Sequence, residues 1–304
     1  EQLNEDIKVK GFDTEKGRIP LARDGSILNG AHRTTIGIHH KLLLPTETTN
    51  SEPQVFDYKY FKARGMDEEY LDFGALSYIE NSSNVFMAII WPRANAKKKS
   101  INKFFPNVIY SKRISLNYNG AHNLLSDAYK GEHWLGKRED NYPGIKNKLV
   151  ECFSTFEPIE VYLFHENDLN NVLKIKDAIR DSLDVGKHSI HITDNDEETS
   201  LLSKLLLNSN SIHYLNNAEP NLFENKLLNE YVEKHNIEKI SPNYVLGPET
   251  TLGLYGIKEP SFVDFVSGFN YEKIDKFTEL NLVVPKEANI KSPRHYFYYK
   301  GIKC

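Results

Sequence analysis

The spacing of hydrophobic positions changes along the chain, and each spacing predicts a different element. An unbroken apolar run from Val85 to Trp91 has the length of a buried strand. Between Val172 and Leu183 the apolar residues recur every three or four positions, which predicts an amphipathic helix over 169–183. Both periods within one chain favour a fold built from helices and strands together.

Beyond residue 155 the chain alternates between strand-like and helix-like segments. The predicted strands are 160–164, 189–193 and 211–215, and the predicted helices are 169–183, 197–207 and 222–235. Thr193 or Asp194 supplies the side-chain cap expected at the start of the second of these helices. This order predicts the α/β class, with the chain divided into a region of residues 1–154 and a smaller α/β region of residues 155–304.

The first region is predicted to be strand-rich around a helix. Short strands at 18–22 and 26–28 flank an Asp-Gly turn at Asp24, and a helix begins directly after residues 29–33. The tetrapeptide Asn-Gly-Ala-His occurs there and again at 119–122, which predicts a second, similar start of a helix.

Composition and charge narrow the class of protein. With 39% hydrophobic and 26% charged residues, the 304-residue chain has the composition of a globular protein. The formal net charge of -4 gives no general attraction to nucleic acids, and no apolar run reaches the roughly 18 residues of a membrane-spanning helix. Cys152 and Cys304 are too few for a disulfide framework or an all-cysteine zinc site, so a reduced, cytoplasmic environment is expected.

The strongest candidate for a binding site is the segment Gly30-Ala31-His32-Arg33, which begins a predicted helix and is called the phosphate box here. A helix N-terminus presents backbone N–H groups without intrahelical partners and the positive end of the helix dipole. Small residues such as Gly30 and Ala31 let a ligand approach this backbone closely. Arg33 can clamp a phosphate with two hydrogen bonds, and His32 can donate to a phosphate oxygen. The box therefore predicts a nucleotide or phosphate site.

This segment resembles the nucleotide-binding motif of the ParB/sulfiredoxin-like superfamily, in which a Pro-Ile strand and an Asp-Gly turn precede a Gly-x-His-Arg box. Pro20, Asp24 and the phosphate box match that motif in order and spacing, and the resemblance covers about residues 5–60. Ala31 stands where sulfiredoxin carries its reactive cysteine, which disfavours sulfinic-acid reduction. Ala31 and His32 stand where ParB proteins carry an acid and a second arginine, which disfavours a CTP switch. The free-serine-kinase branch remains, and it implies an α+β nucleotide-binding domain with kinase activity.

The kinase resemblance implies cofactors and roles for individual side chains. The expected cofactors are ATP or another nucleoside triphosphate and Mg²⁺, which Asp24 is placed to hold. Glu15 precedes the Pro20 strand, where the serine-kinase relatives carry a catalytic acid, and Glu132 is a second candidate for the base. With His32 these are the predicted catalytic residues. The expected acceptor is a small hydroxyl compound such as a sugar or polyol.

Two further groups of polar and aromatic residues are candidates for chemistry. Trp134 lies on the helix predicted to begin at 119–123, and Glu132 stands two residues before it. Glu132 can act as a base, and Trp134 can stack on a sugar or base. Polar residues at 187–194 surround the end of a predicted strand, where α/β folds form ligand sites. Lys187 can hold an anion there, although the histidine spacing matches no zinc motif. Both groups are also typical of ordinary helix and strand ends.

The segment from Gly247 to Asp264 resembles the Gly-Ser … Asp-x-Asp region of the nucleotidyltransferase superfamily. Pro248 replaces the serine, and Asp264 alone remains of the acid pair that two-metal catalysis requires. A nucleotidyl- or phosphosugar-transferase centred on this segment is therefore one alternative function, and a non-catalytic nucleotide-binding regulatory module is another. The order of the segments as a whole resembles modules of bacterial surface-polysaccharide biosynthesis proteins.

Overall fold

In the computed structural model the chain forms two compact units, residues 1–64 and 65–304. The residues described are 2–14, 17–95, 101–138, 140–220, 228, 244–267 and 292–304. Helices and strands occur together, so the fold belongs to the α/β class, as predicted. Within these ranges no helix combines the length and the apolar character needed to cross a membrane.

The first unit is built around a pair of short parallel strands. Its elements in the described ranges are α1 (Gln2–Lys10), β1 (Ile19–Leu21), α2 (Ala31–His39), β2 (Thr46–Thr48) and α3 (Tyr58–Lys62). β1 pairs in parallel with β2, so that Ile19 lies opposite Thr46. After the predicted Asp-Gly turn, Ile27 forms an isolated antiparallel bridge with Leu21. The predicted chain reversal is thus confirmed, but the second arm is a single bridge and not a full strand.

Close packing holds α2 in place within this unit. Gly37 of α2 is buried, and a Cβ at that position would overlap the side chain of Leu44. Nε2 of His40, at the end of α2, lies 3.0 Å from Oδ1 of Asn4 on α1. The side chain of Ile19 on β1 is also buried. These contacts fix the position of α2 within the first unit, and with it the position of its N-terminus.

The second unit contains most of the secondary structure. Its elements, again among the described residues, are α4 (Glu68–Glu80), β3 (Val85–Ile90), α5 (Pro92–Asn95), β4 (Val108–Ile114), α6 (Tyr118–Ala128), α7 (Ile145–Cys152), β5 (Ile159–His165), α8 (Leu169–Leu183), β6 (Ile190–Ile192), α9 (Asp196–Leu206), α10 (Ser209–Asn217), β7 (Tyr244–Leu246), α11 (Pro248–Leu254), β8 (Phe265–Ser267), β9 (Tyr298–Tyr299) and β10 (Ile302–Lys303). A 3₁₀ turn at Gly186–His188 connects α8 to β6.

The centre of this unit is a four-stranded sheet in the order β4-β5-β3-β6, in which every neighbouring pair is antiparallel. β5 and β6 therefore run in the same direction with β3 between them. α8 connects them as the helix of a split β-α-β unit. The strand–helix–strand order predicted for this part of the chain is confirmed, and α8 has the bounds predicted from its apolar spacing.

The sheet joins two parts of the chain that the sequence pattern assigns to separate regions. β3 pairs with β5 from Val85, opposite His165, to Ile90, opposite Glu160. The predicted boundary between residues 154 and 155 therefore falls inside one unit, and the structure divides the chain after Arg64 instead. Pairing between strands so far apart in sequence leaves no local turn signal, and this is why the spacing of apolar residues missed it.

β3 is buried on both of its faces. All of its side chains are buried, and Phe86 and Ile90 belong to the hydrophobic core that includes Val172 and Ile179 of α8. α9 packs against β3, and Ile89, whose side chain alternates to the face opposite Ile90, is also buried. Burial on two faces explains why this strand is a continuous apolar run and not an alternating one.

A buried ion pair connects α4 to the sheet. Lys112 Nζ on β4 lies 2.6 Å from Oδ2 of Asp72 on α4, and Tyr110 Oη donates a hydrogen bond to Asp72 Oδ1 at 2.7 Å. The side chains of Lys112 and Asp72 are only 8% and 3% exposed. A carboxylate this deep requires partners for both oxygens, and these two side chains supply them.

One predicted element differs in type from the observed one, and another falls outside the described residues. The predicted strand at 211–215 is part of α10, whose N-cap Asn208 accepts a hydrogen bond from the Ser211 N–H at 2.8 Å. The buried residues of α10 are Ser211, Tyr214 and Leu215, which is the spacing of one helical face. The helix predicted over 222–235 lies, apart from Leu228, outside the described residues.

Candidate functional site

The phosphate box forms an open helix N-terminus in the first unit. α2 begins at Ala31, and its N-cap Gly30 has a left-handed backbone with φ of 90°. In the described part of the chain no side chain caps α2, whereas five other helices are capped by an aspartate or asparagine side chain. Those caps are Asp57, Asn117, Asp168, Asn195 and Asn208. The first turn of α2 is thus available to an external acceptor.

The backbone of the box is arranged as an anion site requires. The Thr34 N–H bonds to Gly30 O at 2.8 Å, so the N–H groups of Ala31, His32 and Arg33 come before the first bond of the helical ladder. Ala31 and His32 are exposed to solvent. The three N–H groups and the positive end of the helix dipole therefore favour an anion at this position.

Gly30 is required by the backbone and by its neighbour on β1. Its positive φ belongs to the left-handed region, which residues with a Cβ rarely adopt. A Cβ at Gly30 would in addition lie 2.8 Å from Cδ1 of Ile19. The glycine in the box is therefore fixed by its contact with a buried strand as well as by the turn itself.

Arg33 is already engaged within the first unit. Its Nη1 donates a hydrogen bond to the carbonyl oxygen of Gly17 at 3.0 Å, and its guanidinium lies 5.8 Å from the ring centroid of Phe12. The guanidinium has five N–H donors, so one bond to Gly17 leaves donors for a ligand. Arg33 is held at the box by these contacts, and its removal affects the preceding loop as well as any bound anion.

Of the predicted metal ligand Asp24 and the predicted base Glu15, the structure describes only Asp24. Asp24 Oδ1 accepts hydrogen bonds from Ser26 N at 3.0 Å and Ser26 Oγ at 2.7 Å, and these bonds lower the pKa of the carboxyl group. Mg²⁺ in nucleotide sites takes one or two carboxylates and completes its shell with phosphates and water, so the ionised, exposed Asp24 fits as a single protein ligand. No group of three or more metal-binding side chains occurs among the described residues. Glu15 lies outside them.

Glu132, the other predicted base, belongs to the second unit and adjoins an aromatic cluster of Tyr129, Trp134 and His191. The ring of Tyr129 lies 5.3 Å from that of Trp134 and 5.3 Å from that of His191. Glu132 N–H donates to Tyr129 O at 3.1 Å, which places Glu132 in the turn that follows α6. The structure thus brings together the two polar groups that the sequence presents separately, and the residue that joins them is Tyr129.

The histidine of the aromatic cluster is fixed by a carboxylate. His191 is buried on β6, and its Nε2 lies 2.9 Å from Glu198 Oε1 on α9. The second oxygen of Glu198 accepts the Asp194 N–H at 2.7 Å. Burial alone would raise the pKa of Glu198, but these hydrogen bonds outweigh it and the pKa is lowered. Glu198 therefore orients His191 and closes the turn after β6, as expected of a structural carboxylate.

The second Asn-Gly-Ala-His segment differs from the first. α6 begins at Tyr118, and its N-cap Asn117 accepts a hydrogen bond from the Gly120 N–H at 2.8 Å. Residues 119–122 therefore lie within the first turns of a helix that is already capped. Asn119 Nδ2 donates to Ala218 O at 2.8 Å and so holds α6 against the end of α10. The similarity between the two segments is one of sequence only.

The glycine turn at Gly247 is closed by Asp264, the one acid that remains of the pair in the resembled nucleotidyltransferase region. Asp264 is 6% exposed, and its carboxylate accepts hydrogen bonds from the backbone N–H groups of Glu249 and Thr250, at 3.2 and 2.9 Å. A Cβ at Gly247 would overlap that carboxylate. The N-terminus of α11 thus has an internal anion where a nucleotidyltransferase would bind the triphosphate.

Comparison of the chain with protein-family models, with curated proteins and with solved structures gives no match. The geometry of the phosphate box is therefore the feature of the molecule that bears most directly on function.

Proposed function

We propose that the chain is a nucleotide-dependent phosphotransferase whose first unit binds the triphosphate at the N-terminus of α2. The observation that carries this proposal is the left-handed, uncapped Gly30, which leaves the first turn of α2 open beside the exposed Ala31 and His32. In five of the described helices an aspartate or asparagine side chain occupies this position, whereas α4 and α7, like α2, have no side-chain cap. A phosphate group is the ligand that best matches the free donors.

The roles of the side chains follow from their place around the box. The backbone N–H groups of Ala31, His32 and Arg33, together with the side chains of His32 and Arg33, bind phosphate oxygens. Gly30, whose own N–H donates to Asn29 Oδ1, lets the phosphate approach the backbone closely. Asp24 supplies one carboxylate to Mg²⁺, and the nucleotide supplies the remaining oxygen ligands. Glu15, which precedes β1 in the sequence, is the proposed acceptor of the hydroxyl proton. ATP is the proposed nucleotide, and a sugar or polyol used in surface-polysaccharide biosynthesis in the cytoplasm is the proposed acceptor.

The same geometry ranks the alternatives. Asp264 occupies the start of α11, which weighs against a nucleotidyl- or phosphosugar-transferase at that turn. A non-catalytic nucleotide-binding module remains the second candidate, because Asp24 is the only acidic side chain of residues 17–40. Turnover separates the two: a kinase releases ADP in the presence of its acceptor, whereas a binding module holds ATP without consuming it.

Binding of ATP with Mg²⁺, measured by calorimetric titration of the full chain, tests the proposed site. His32→Ala removes an exposed donor from the box and is expected to weaken binding by about tenfold, the scale of one charge-assisted hydrogen bond. His39→Ala is the matched control, because His39 is exposed at the opposite end of α2. Absence of ATP binding by the folded wild-type chain, or equal affinities of the two variants, would contradict the proposal.

A further inference from the structure

A group of basic side chains converges in the second unit, and the carboxylates of Glu132 and Glu151 lie near enough to influence it. It consists of Lys148 on α7, Arg180 on α8, and Lys187 and His188 in the turn that leads into β6, and it is called the cation cluster here. Both α7 and α8 pack against this turn. Three elements therefore direct basic side chains to one end of the sheet.

The positive charge of this cluster is only partly compensated. Of its lysine and arginine side chains only Arg180 forms an ion pair within the described ranges, with the exposed Asp177 at 3.3 Å. Burial is the main cause that lowers the pKa of Lys148; Cys152 and Glu132 oppose it, and the charges of Lys187 and Arg180 lower the pKa further. Like charges held this close to each other raise the free energy of the unliganded protein, and an anion would relieve the repulsion.

Two polar atoms of the cluster lack hydrogen-bond partners. Nε of Arg180 and Nδ1 of His188 are buried, and neither has a partner among the described residues. A buried polar atom without a hydrogen bond costs about 1–3 kcal/mol, so such atoms are uncommon unless a ligand or water completes them. Nε of Arg180 is always a donor, so its missing partner is an acceptor, and the neighbouring cations favour one with negative charge.

Aromatic side chains adjoin the cations. Lys148 Nζ lies 4.6 Å from the ring centroid of Tyr129, whose ring in turn contacts Trp134. Trp134 is 42% exposed, so its face can stack on a ring. An inorganic anion would contact only the cations. A phosphorylated ring compound would contact the cations with its phosphate group and the aromatic side chain with its ring.

We propose that the cation cluster binds the phosphate group of a small phosphorylated ring compound, such as a sugar phosphate, with Trp134 against the ring. This site belongs to the second unit and does not depend on the proposed nucleotide site at the phosphate box. Variants of the two sites therefore separate the proposals: His32→Ala tests the first, and substitutions in the cation cluster test the second.

Tryptophan fluorescence gives a direct measurement, because Trp91 and Trp134 are the two tryptophans of the chain. The full chain is titrated with glucose 6-phosphate, with inorganic phosphate and with glucose. We expect saturable changes with glucose 6-phosphate and, at higher concentration, with phosphate, and none with glucose. An equal response to glucose, or no saturable response to either phosphate compound, would overturn the proposal.

Substitutions then locate the response. Lys148→Gln and Arg180→Gln are each expected to weaken glucose 6-phosphate binding by about tenfold or more. The matched controls are Lys146→Gln on α7 and Lys174→Gln on α8, both exposed, which should leave binding unchanged. Lys187→Gln, at an exposed position of the turn, provides a variant whose fold is not at risk. Equal affinity in Lys187→Gln and in the controls overturns the site even if the buried variants unfold.

His32→Ala completes the test. A fluorescence response to glucose 6-phosphate that is retained in His32→Ala supports a separate site in the second unit. Loss of that response in the folded His32→Ala protein would assign the phosphate to the phosphate box and overturn the present proposal, while leaving the proposed nucleotide site standing.

Discussion

The carboxylate of Asp264 accepts hydrogen bonds from both the backbone N–H and the hydroxyl group of Thr250, at 2.9 and 2.7 Å. In return, the Thr250 hydroxyl accepts the Asp264 N–H at 3.0 Å. Both residues are buried. This reciprocal pair connects α11 to the chain that precedes β8, and it gives α11 the N-terminal cap that Gly247 cannot supply.

Substitution of Asp264 is expected to lower stability. Asp264→Ala leaves two backbone N–H groups and the Thr250 hydroxyl unpaired, which should lower the free energy of unfolding by about 1–3 kcal/mol or more. Urea unfolding measures the change. Asp181→Ala, an exposed change on α8, is the control and is expected within about 0.5 kcal/mol of the wild type. Calorimetric titration of folded Asp264→Ala should return wild-type affinity for ATP, and a specific loss of ATP binding would favour the nucleotidyltransferase alternative.

Gly30 and Gly25 offer a matched pair of substitutions in the first unit. Both have positive φ, 90° and 87°, but a Cβ at Gly25 meets nothing within 4 Å, whereas one at Gly30 lies 2.8 Å from Ile19 Cδ1. Gly25→Ala should cost about 1 kcal/mol, the strain of a left-handed residue with a side chain, and Gly30→Ala should cost more. Thermal unfolding of the two variants tests this order. Equal melting temperatures would mean that Ile19 accommodates the added methyl group.

The buried pair of Lys112 and Asp72 should be sensitive to the loss of either charge. Lys112→Met leaves the Asp72 carboxylate buried with the Tyr110 hydroxyl as its remaining partner in the pair's surroundings, at an expected cost of about 3–5 kcal/mol. The double variant Asp72→Asn/Lys112→Met removes the uncompensated charge and should recover part of that loss. Urea unfolding of the wild type, both single variants and the double variant completes the cycle. Strictly additive losses would show that the two charges do not interact.

Half-buried His122 predicts a pH dependence of stability. Burial is the largest influence on its pKa and lowers it below the ordinary value of 6.5, against opposing hydrogen bonds from Asn123 and Asn141. The unfolded chain then binds the proton more readily, so this contribution to stability is present above the ordinary pKa and is lost as the pH falls below it. The free energy of unfolding should therefore fall less between about pH 8 and about pH 5 in His122→Gln than in the wild type. Parallel curves for the two proteins would contradict the assignment.

Elements with a strong local signal were the ones that the sequence predicts well. α8 has the predicted bounds, because its apolar residues repeat with the helical period and Asp168 caps its first turn. The helix α9 is predicted to within one residue at each end, but its cap is Asn195 and not Thr193 or Asp194. In 211–215 the alternation of apolar and polar residues resembles a strand, and the capping Asn208 upstream is the signal that favours a helix.

The two proposed sites also differ in how far the sequence predicts them. The phosphate box is a contiguous segment, so the glycine and the predicted start of a helix are enough to predict it from the sequence. The cation cluster combines Lys148, Arg180 and Lys187 from three elements, and only Lys187 was a candidate from its local setting. Nothing in the sequence predicts a role for Tyr129, because its ring contacts with Trp134 and with His191 on β6 form only when distant segments come together. Contacts between segments far apart in the chain leave no pattern of spacing from which they can be predicted.

The central position of β3 has a consequence for the synthesis of the chain. Its neighbours in the sheet, β5 and β6, both come later in sequence, so the apolar segment Val85–Ile90 emerges from the ribosome well before either partner exists. Unpaired apolar segments with high strand propensity associate readily between molecules. Truncated products that end before Ile159 therefore expose this apolar strand without a partner strand. Premature termination between Ile90 and Ile159 should yield insoluble material.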